Sequence, residues 1–163
     1  MAVIAHTKKG FLIAAIVIAI NVVGQLTHLI NNSWFSYISL IVFMIAILIA
    51  VVQYNTQIQQ PSNFSILLTH GFKTTAVATV ILFMYGLMAY YFIFTNYIDA
   101  LLNKGIEEAQ KQGKTAQEIK SNLVIARKVI IISLLAGTVM LHLLSGGIGA
   151  LIAAVFSKKV KNN

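Results

Sequence analysis

The chain of 163 residues contains no cysteine, a single proline and four carboxylates. Without cysteine there are no disulfides, thiolate metal sites or cysteine nucleophiles, and the redox compartment is left open. The proline, Pro61, lies outside every long apolar stretch, so it interrupts no helix that such a stretch forms. Asp99, Glu107, Glu108 and Glu118 hold all the acidic charge and sit close together in the chain. The apolar stretches therefore contain no carboxylate to serve as acid, base or metal ligand. Charge of either sign is scarce, at 10% of residues against 58% apolar, and mean hydropathy is +0.84.

What is present is long apolar sequence. Residues 10–30, 34–54, 74–96 and 129–156 form four such runs, none with an acidic residue. About 20 apolar residues carry one helix across a hydrocarbon core, and all four runs reach that length. A water-soluble domain of this size has too little interior to hide them. The expected fold is an all-α integral membrane protein: four transmembrane helices in a small bundle. Residues 1–163 read as one membrane domain, with a helical hairpin over about residues 97–128 between the third and fourth spans. The net charge of +8 does not point to nucleic acid. Lys8, Lys9, Lys73, Arg127, Lys128, Lys158, Lys159 and Lys161 flank the apolar runs, where basic groups anchor to phospholipid head groups. Lys8-Lys9 before the first run resembles a signal peptide. That run is too long for one and no small-x-small cleavage site follows, so it reads as an uncleaved anchor.

Asn31-Asn32-Ser33 alone joins the first two spans, which predicts a tight antiparallel hairpin, and Trp34, Phe35 and Tyr37 follow as an interfacial belt. Pro61-Ser62-Asn63 reads as a turn with a helix N-cap. Phe64, Leu67, Leu68, Gly71 and Phe72 then share one helical face, either of a short interfacial helix or of a third span that starts early. In the third connection, Ile98, Leu101, Leu102, Ile106 and Ala109 form an apolar stripe, Gln112-Gly113-Lys114 a stop, and Thr115 with Glu118 a capping box. Ile119, Leu123, Ala126 and Ile130 make the stripe of the second arm. Glu107/Lys111 and Lys114/Glu118 have i, i+4 spacing, worth a few tenths of a kcal/mol, roughly, per pair.

The fourth span carries Ser145-Gly146-Gly147-Ile148-Gly149. Glycine costs about 1 kcal/mol in a helix interior, so the cluster predicts either a bend or a close approach of another backbone. Ser145, Gly146, Gly149, Ala150 and Ala153 are the candidate packing residues, within the bundle or in a homo-oligomer. Asn21, Gln25 and His28 fall on one face of the first span, and His142 near the middle of the fourth. Polar groups inside lipid are expensive. These four are expected to hydrogen-bond between helices, for about 0.6 kcal/mol each, or to line a polar pocket for a lipid head group or small solute. His6 and His70 read as interfacial flanks. Tyr85, Tyr90, Tyr91, Phe92, Phe94 and Tyr97 read as an aromatic girdle first and a stacking surface second. No catalytic set emerges: the spans carry no His-Glu-x-x-His, Ser133 and Ser145 stand without an acid, and the glycine cluster lacks the Lys-Ser/Thr of a phosphate loop. No cofactor or metal is expected.

Two lysines precede the first hairpin and none lies in its loop, which places both termini in the cytoplasm. The full count is balanced. Lys104, Lys111, Lys114, Lys120, Arg127 and Lys128 would face outward, against Lys8, Lys9, Lys73, Lys158, Lys159 and Lys161 inside.

Three segments resemble a family of bacterial membrane proteins known as domain of unknown function 4199. They are His70-Gly71-Phe72-Lys73, the Glu-Glu-x-x-Lys-x-Gly-Lys-Thr-x-x-Glu pattern within residues 106–120, and Gly147-Ile148-Gly149-Ala150-Leu151-Ile152-Ala153-Ala154 running toward Lys158-Lys159. The resemblance implies a four-span protein of the inner membrane and supplies no activity and no site. The expected function is that of a non-enzymatic accessory or scaffold component. It would bind a membrane-protein partner through the charged hairpin, with membrane lipids and a second copy as further expected partners. The alternative is a small lipid or solute translocator using the Asn21/Gln25/His28/His142 face.

Overall fold

A computed structural model describes residues 2–29, 32–58 and 63–157, with the side chains of residues 2–5, 33, 36, 116, 120 and 121 left aside. Asn31, Pro61, Ser62, Lys158, Lys159 and Lys161 lie outside the described residues. Five α-helices follow one another: α1 (Ala2–Leu26), α2 (Ser33–Gln57), α3 (Phe64–Met88), α4 (Thr95–Lys111) and α5 (Ala116–Phe156), with a π-helical turn at Ala89–Ile93 closing α3. Four segments are long and apolar enough to cross a membrane: His6–Leu26, Tyr37–Gln57, Phe64–Ile93 and Asn122–Phe156.

Helix α2 shows why this composition belongs in lipid. Ser39, Phe43, Ile47 and Val51 are buried along one face, while Ile38, Ile41, Ile45, Ile49 and Val52 point away from the protein. A helix in water would carry polar residues on that outer face. Here the two faces are equally apolar, and only lipid stabilises the outer one. The chain is a multi-span membrane protein.

The chain packs as two units, Met1–Leu82 with Val139–Asn163, and Phe83–Thr138. In the first, α1 and α2 run antiparallel: the Lys9 Nζ donates to the Ala50 carbonyl (2.9 Å), and Gly24 lies against the Phe35 ring. Gly10 meets Val77 and Thr74, so α1 and α3 are parallel neighbours at this level. Ile13, Ala14, Val17, Phe43, Ile47, Ala50, Ala78, Leu82 and Ala150 close the core. Helix α1 stops at Leu26, earlier than the sequence suggested. Thr27 folds its hydroxyl back onto the Val23 carbonyl (2.7 Å), and His28 adopts φ +58°, a left-handed conformation in which histidine is over-represented.

The third span begins early. Helix α3 is unbroken from Phe64, with Asn63 capping it through its side-chain oxygen, which accepts from the Ile66 amide (2.9 Å). No separate interfacial helix precedes it among the described residues. The fourth span does not break either: α5 continues through all three glycines. A Cβ on Gly149 would sit 2.5 Å from the Met44 carbonyl oxygen, and one on Gly146 would collide with Thr75 and Phe43. The cluster is therefore where α2 and α3 approach the α5 backbone, and Ala150 meets Gly71 one turn further on.

In the second unit Ile98, Ile131 and Leu135 are buried against Phe83, Leu87, Tyr90, Tyr97, Ile130 and Leu134. The π turn ends at Phe94 (φ −114°, ψ 47°), whose amide reaches the Ala89 carbonyl at 2.7 Å. Helix α4 stops in a Schellman motif: Lys114 N–H donates to Ala109 O (3.1 Å), Gly113 N–H to Gln110 O (3.0 Å), and Gly113 takes φ +81°. The capping box then starts α5. Thr115 N–H and its hydroxyl each donate to Glu118 Oε2 at 2.9 Å, and the Glu118 amide donates back to Thr115 Oγ1 at 3.4 Å. These two bonds from Thr115, with Lys114 nearby, hold the Glu118 carboxyl below its ordinary pKa. Across the hairpin, Arg127 pairs with Asp99 at 3.0 Å. Spacing rules see only neighbours along one helix and do not reveal this pair.

Candidate functional site

The polar residues singled out in the spans do not converge. Asn21 is half-buried, and its side-chain nitrogen donates to the Val17 carbonyl one turn back in α1 (2.9 Å). Gln25 is half-buried near the end of the helix, and His28 is exposed and past that end, so the i, i+7 relation to Asn21 is lost. His142 is buried edge-on against Phe43, with ring centroids 4.8 Å apart, and its carbonyl accepts from the Ser145 hydroxyl (3.3 Å). The aromatic residues at the end of α3 divide: Tyr90 packs in the second core, while Tyr91 and Phe92 face outward.

The better-formed polar site lies at the opposite end of the first unit, where α1 and α3 begin and α2 ends. Gly71 is what makes it. With no Cβ, it lets α3 come against Ala150 and Val51, and that approach drives its neighbour His70 inward until only 5% of its surface remains accessible. The His70 ring stacks on Tyr54 (centroids 3.7 Å apart, planes within 2°), and the His6 ring meets it edge-on at 6.1 Å. Its Nε2 is buried and has no hydrogen-bond partner among the described residues. An unmade bond at a buried nitrogen costs about 1–3 kcal/mol, so this atom calls for a partner. Beside it opens a cleft of about 270 Å³, lined by His6, Tyr54, Ser65, Ile66, Thr69, His70 and Lys73. The lining offers imidazole, hydroxyl and ammonium donors around an aromatic wall. Among the described residues no group of three or more His, Cys, Asp or Glu side chains is placed to hold a metal.

The sequence reading passed over His70 as a flank. Its position near the start of a span concealed its burial, which depends on Gly71 and on Tyr54 of another helix. The one available signal was that His70-Gly71-Phe72-Lys73 belongs to the segments carrying the family resemblance.

A second, more apolar groove runs between the arms of the hairpin. It measures about 200 Å³ and is lined by Leu102, Gly105, Ile106 and Ala109 from α4, by Lys114 in the turn, and by Glu118, Ile119, Asn122, Leu123, Ala126 and Ile130 from α5.

No curated protein and no solved structure matches the chain. The family described as "Protein of unknown function (DUF4199)" matches residues 8–159. That span runs from Lys8 in the first candidate membrane span to beyond the last residue of α5, and takes in the other three candidate spans, the His70-Gly71 pair and the capped hairpin; the chain belongs to this family.

Proposed function

We propose that this protein is a non-enzymatic accessory or scaffold component of the bacterial inner membrane, with both termini in the cytoplasm, and that the α4–α5 hairpin docks a membrane-protein partner. The observation that supports this reading is the groove between the arms. Leu102, Ile106, Ile119 and Leu123 line it, with Lys114, Glu118 and Asn122 among its polar lining residues. An accessible apolar patch with a polar rim is the ordinary form of an interaction surface. Both ends of the turn are capped, so the hairpin presents this surface pre-organised, which lowers the ordering cost of association. The occupant that fits is an apolar helical segment of an integral membrane protein lying near the same interface.

The translocation reading draws less support. Of its four residues, Asn21 makes an intrahelical bond, His28 lies in an exposed turn and His142 meets Phe43 edge-on.

The test is deletion of residues 99–121 with a short linker in their place, followed by crosslinking and affinity purification from native membranes. The partner should disappear from the purified material while the variant still fractionates with membranes. Undiminished recovery of the same partner would refute the docking role.

A further inference from the structure

The cleft beside His70 is lined by one lysine and, among the described residues, by no Asp or Glu. All four Asp and Glu side chains lie between residues 99 and 118, so none of them belongs to the unit that forms the cleft. Lys73 lines it, and Lys9, one turn along α1 from His6, donates its ammonium to the neutral Ala50 carbonyl. An anionic ligand would complement this lining. The side chains lining the cleft specify its chemistry: the Lys73 ammonium, the Ser65 and Thr69 hydroxyls, and the rings of His6 and His70, the latter with a buried Nε2 that has no partner among the described residues. A tetrahedral oxyanion takes up several such donors at once, and charge-assisted bonds of this kind are the stronger ones.

We propose that this cleft binds the phosphate of an anionic phospholipid, with His70 Nε2–H and Lys73 as the principal donors. Its size suits a head group. At about 270 Å³ it falls just short of the roughly 300 Å³ at which pockets for whole small molecules begin. Its place suits a lipid: the helix ends that form it bound the apolar spans, and basic groups there meet the phosphate layer. Ile66 lines the cleft and is 42% exposed, and Phe72 beside Lys73 faces outward, giving acyl chains an apolar surface to follow. The inference is independent of the hairpin.

The experiment uses the full chain purified in detergent, with bound lipid counted by native mass spectrometry on adding phosphatidylglycerol or phosphatidylcholine. Phosphatidylglycerol should bind about ten-fold more tightly, a difference of about 1.4 kcal/mol. His70→Phe keeps the stacking on Tyr54 and removes the donor, so it should abolish most of that preference, and His70→Gln should restore part of it. Lys73→Gln and Thr69→Val, both at exposed positions, test the same site if the His70 variants fail to fold. Lys128→Gln, on the other unit, should leave binding unchanged. Equal binding of the two lipids, full preference in the His70→Phe or Lys73→Gln protein, or an equal loss from Lys128→Gln would overturn the proposal. Displacement of phosphatidylglycerol by an equal concentration of inorganic phosphate would overturn the lipid assignment, because the cleft would then be reading a free oxyanion.

Discussion

Two glycines with opposite surroundings give a direct test of how this protein is held together. At Gly149 a methyl group would press on the Met44 carbonyl oxygen, 2.5 Å from the Cβ position, and backbone cannot swing aside as a side chain can. Gly149→Ala should destabilise the bundle by about 1–3 kcal/mol, the usual cost of overpacking. At Gly105, in the middle of α4, a Cβ meets nothing within 4 Å. Gly105→Ala should stabilise by about 0.5–1 kcal/mol through helix propensity alone. Unfolding in mixed micelles measures both. The sequence marked Gly149 as a packing candidate without distinguishing packing from bending. What decides is where Met44 lies, and no local pattern carries that. Glu118 supports a prediction about pH. Its folded pKa lies below the ordinary 4.5 because Thr115 bonds the ionised form. The cap therefore stabilises α5 in full above the unfolded pKa and loses that contribution as pH falls through the lowered folded value. Thr115→Val removes the hydroxyl bond and keeps the backbone one, so it should move the Glu118 titration, followed by carboxyl-carbon NMR, part of the way back up toward 4.5; an unmoved midpoint would count against the Thr115 hydroxyl as a cause.

At the scale of the element, the hairpin was the part most readable in advance. Its stop, its capping box and both apolar stripes are local signals, and each appears in the structure where its residues stand. Helix α4 closes at Lys111 and α5 opens at Ala116, around the Gly113 whose positive φ the stop required. The ion pair between Arg127 and Asp99 was not readable, because it joins residues on different helices. It is nearly half exposed on both sides, with side-chain accessibilities of 41% and 47%. A double-mutant cycle with Asp99→Asn and Arg127→Gln should therefore give a coupling of only about 0.2–1 kcal/mol, falling as salt is added. A salt-independent coupling above that range would mean the pair is drier than its exposure implies. The ends of α1 and α3 were less readable, since apolar residues continue past both helix boundaries, and the chain reverses only where His28 takes a left-handed conformation.

For the whole molecule, the topology proposed above has both termini in the cytoplasm and the turn at Gly113 on the far side of the membrane. With the termini cytoplasmic, alkaline phosphatase inserted at residue 113 should be active, and the same enzyme fused after residue 163 inactive. The reverse pattern would invert the orientation without disturbing the fold. Membrane residence, helix number and the hairpin follow from composition and short-range pattern: apolar length is set residue by residue, and caps and stops act within one turn. The burial of His70, the close approach at the α5 glycines and the dispersal of Asn21, His28 and His142 arise only when helices far apart in the chain pack together. In lipid the inward and outward faces of a span are equally apolar, so hydropathy says that a helix crosses the membrane but not which side it turns toward its neighbours. Packing alone settles that, and with it where the polar cleft forms.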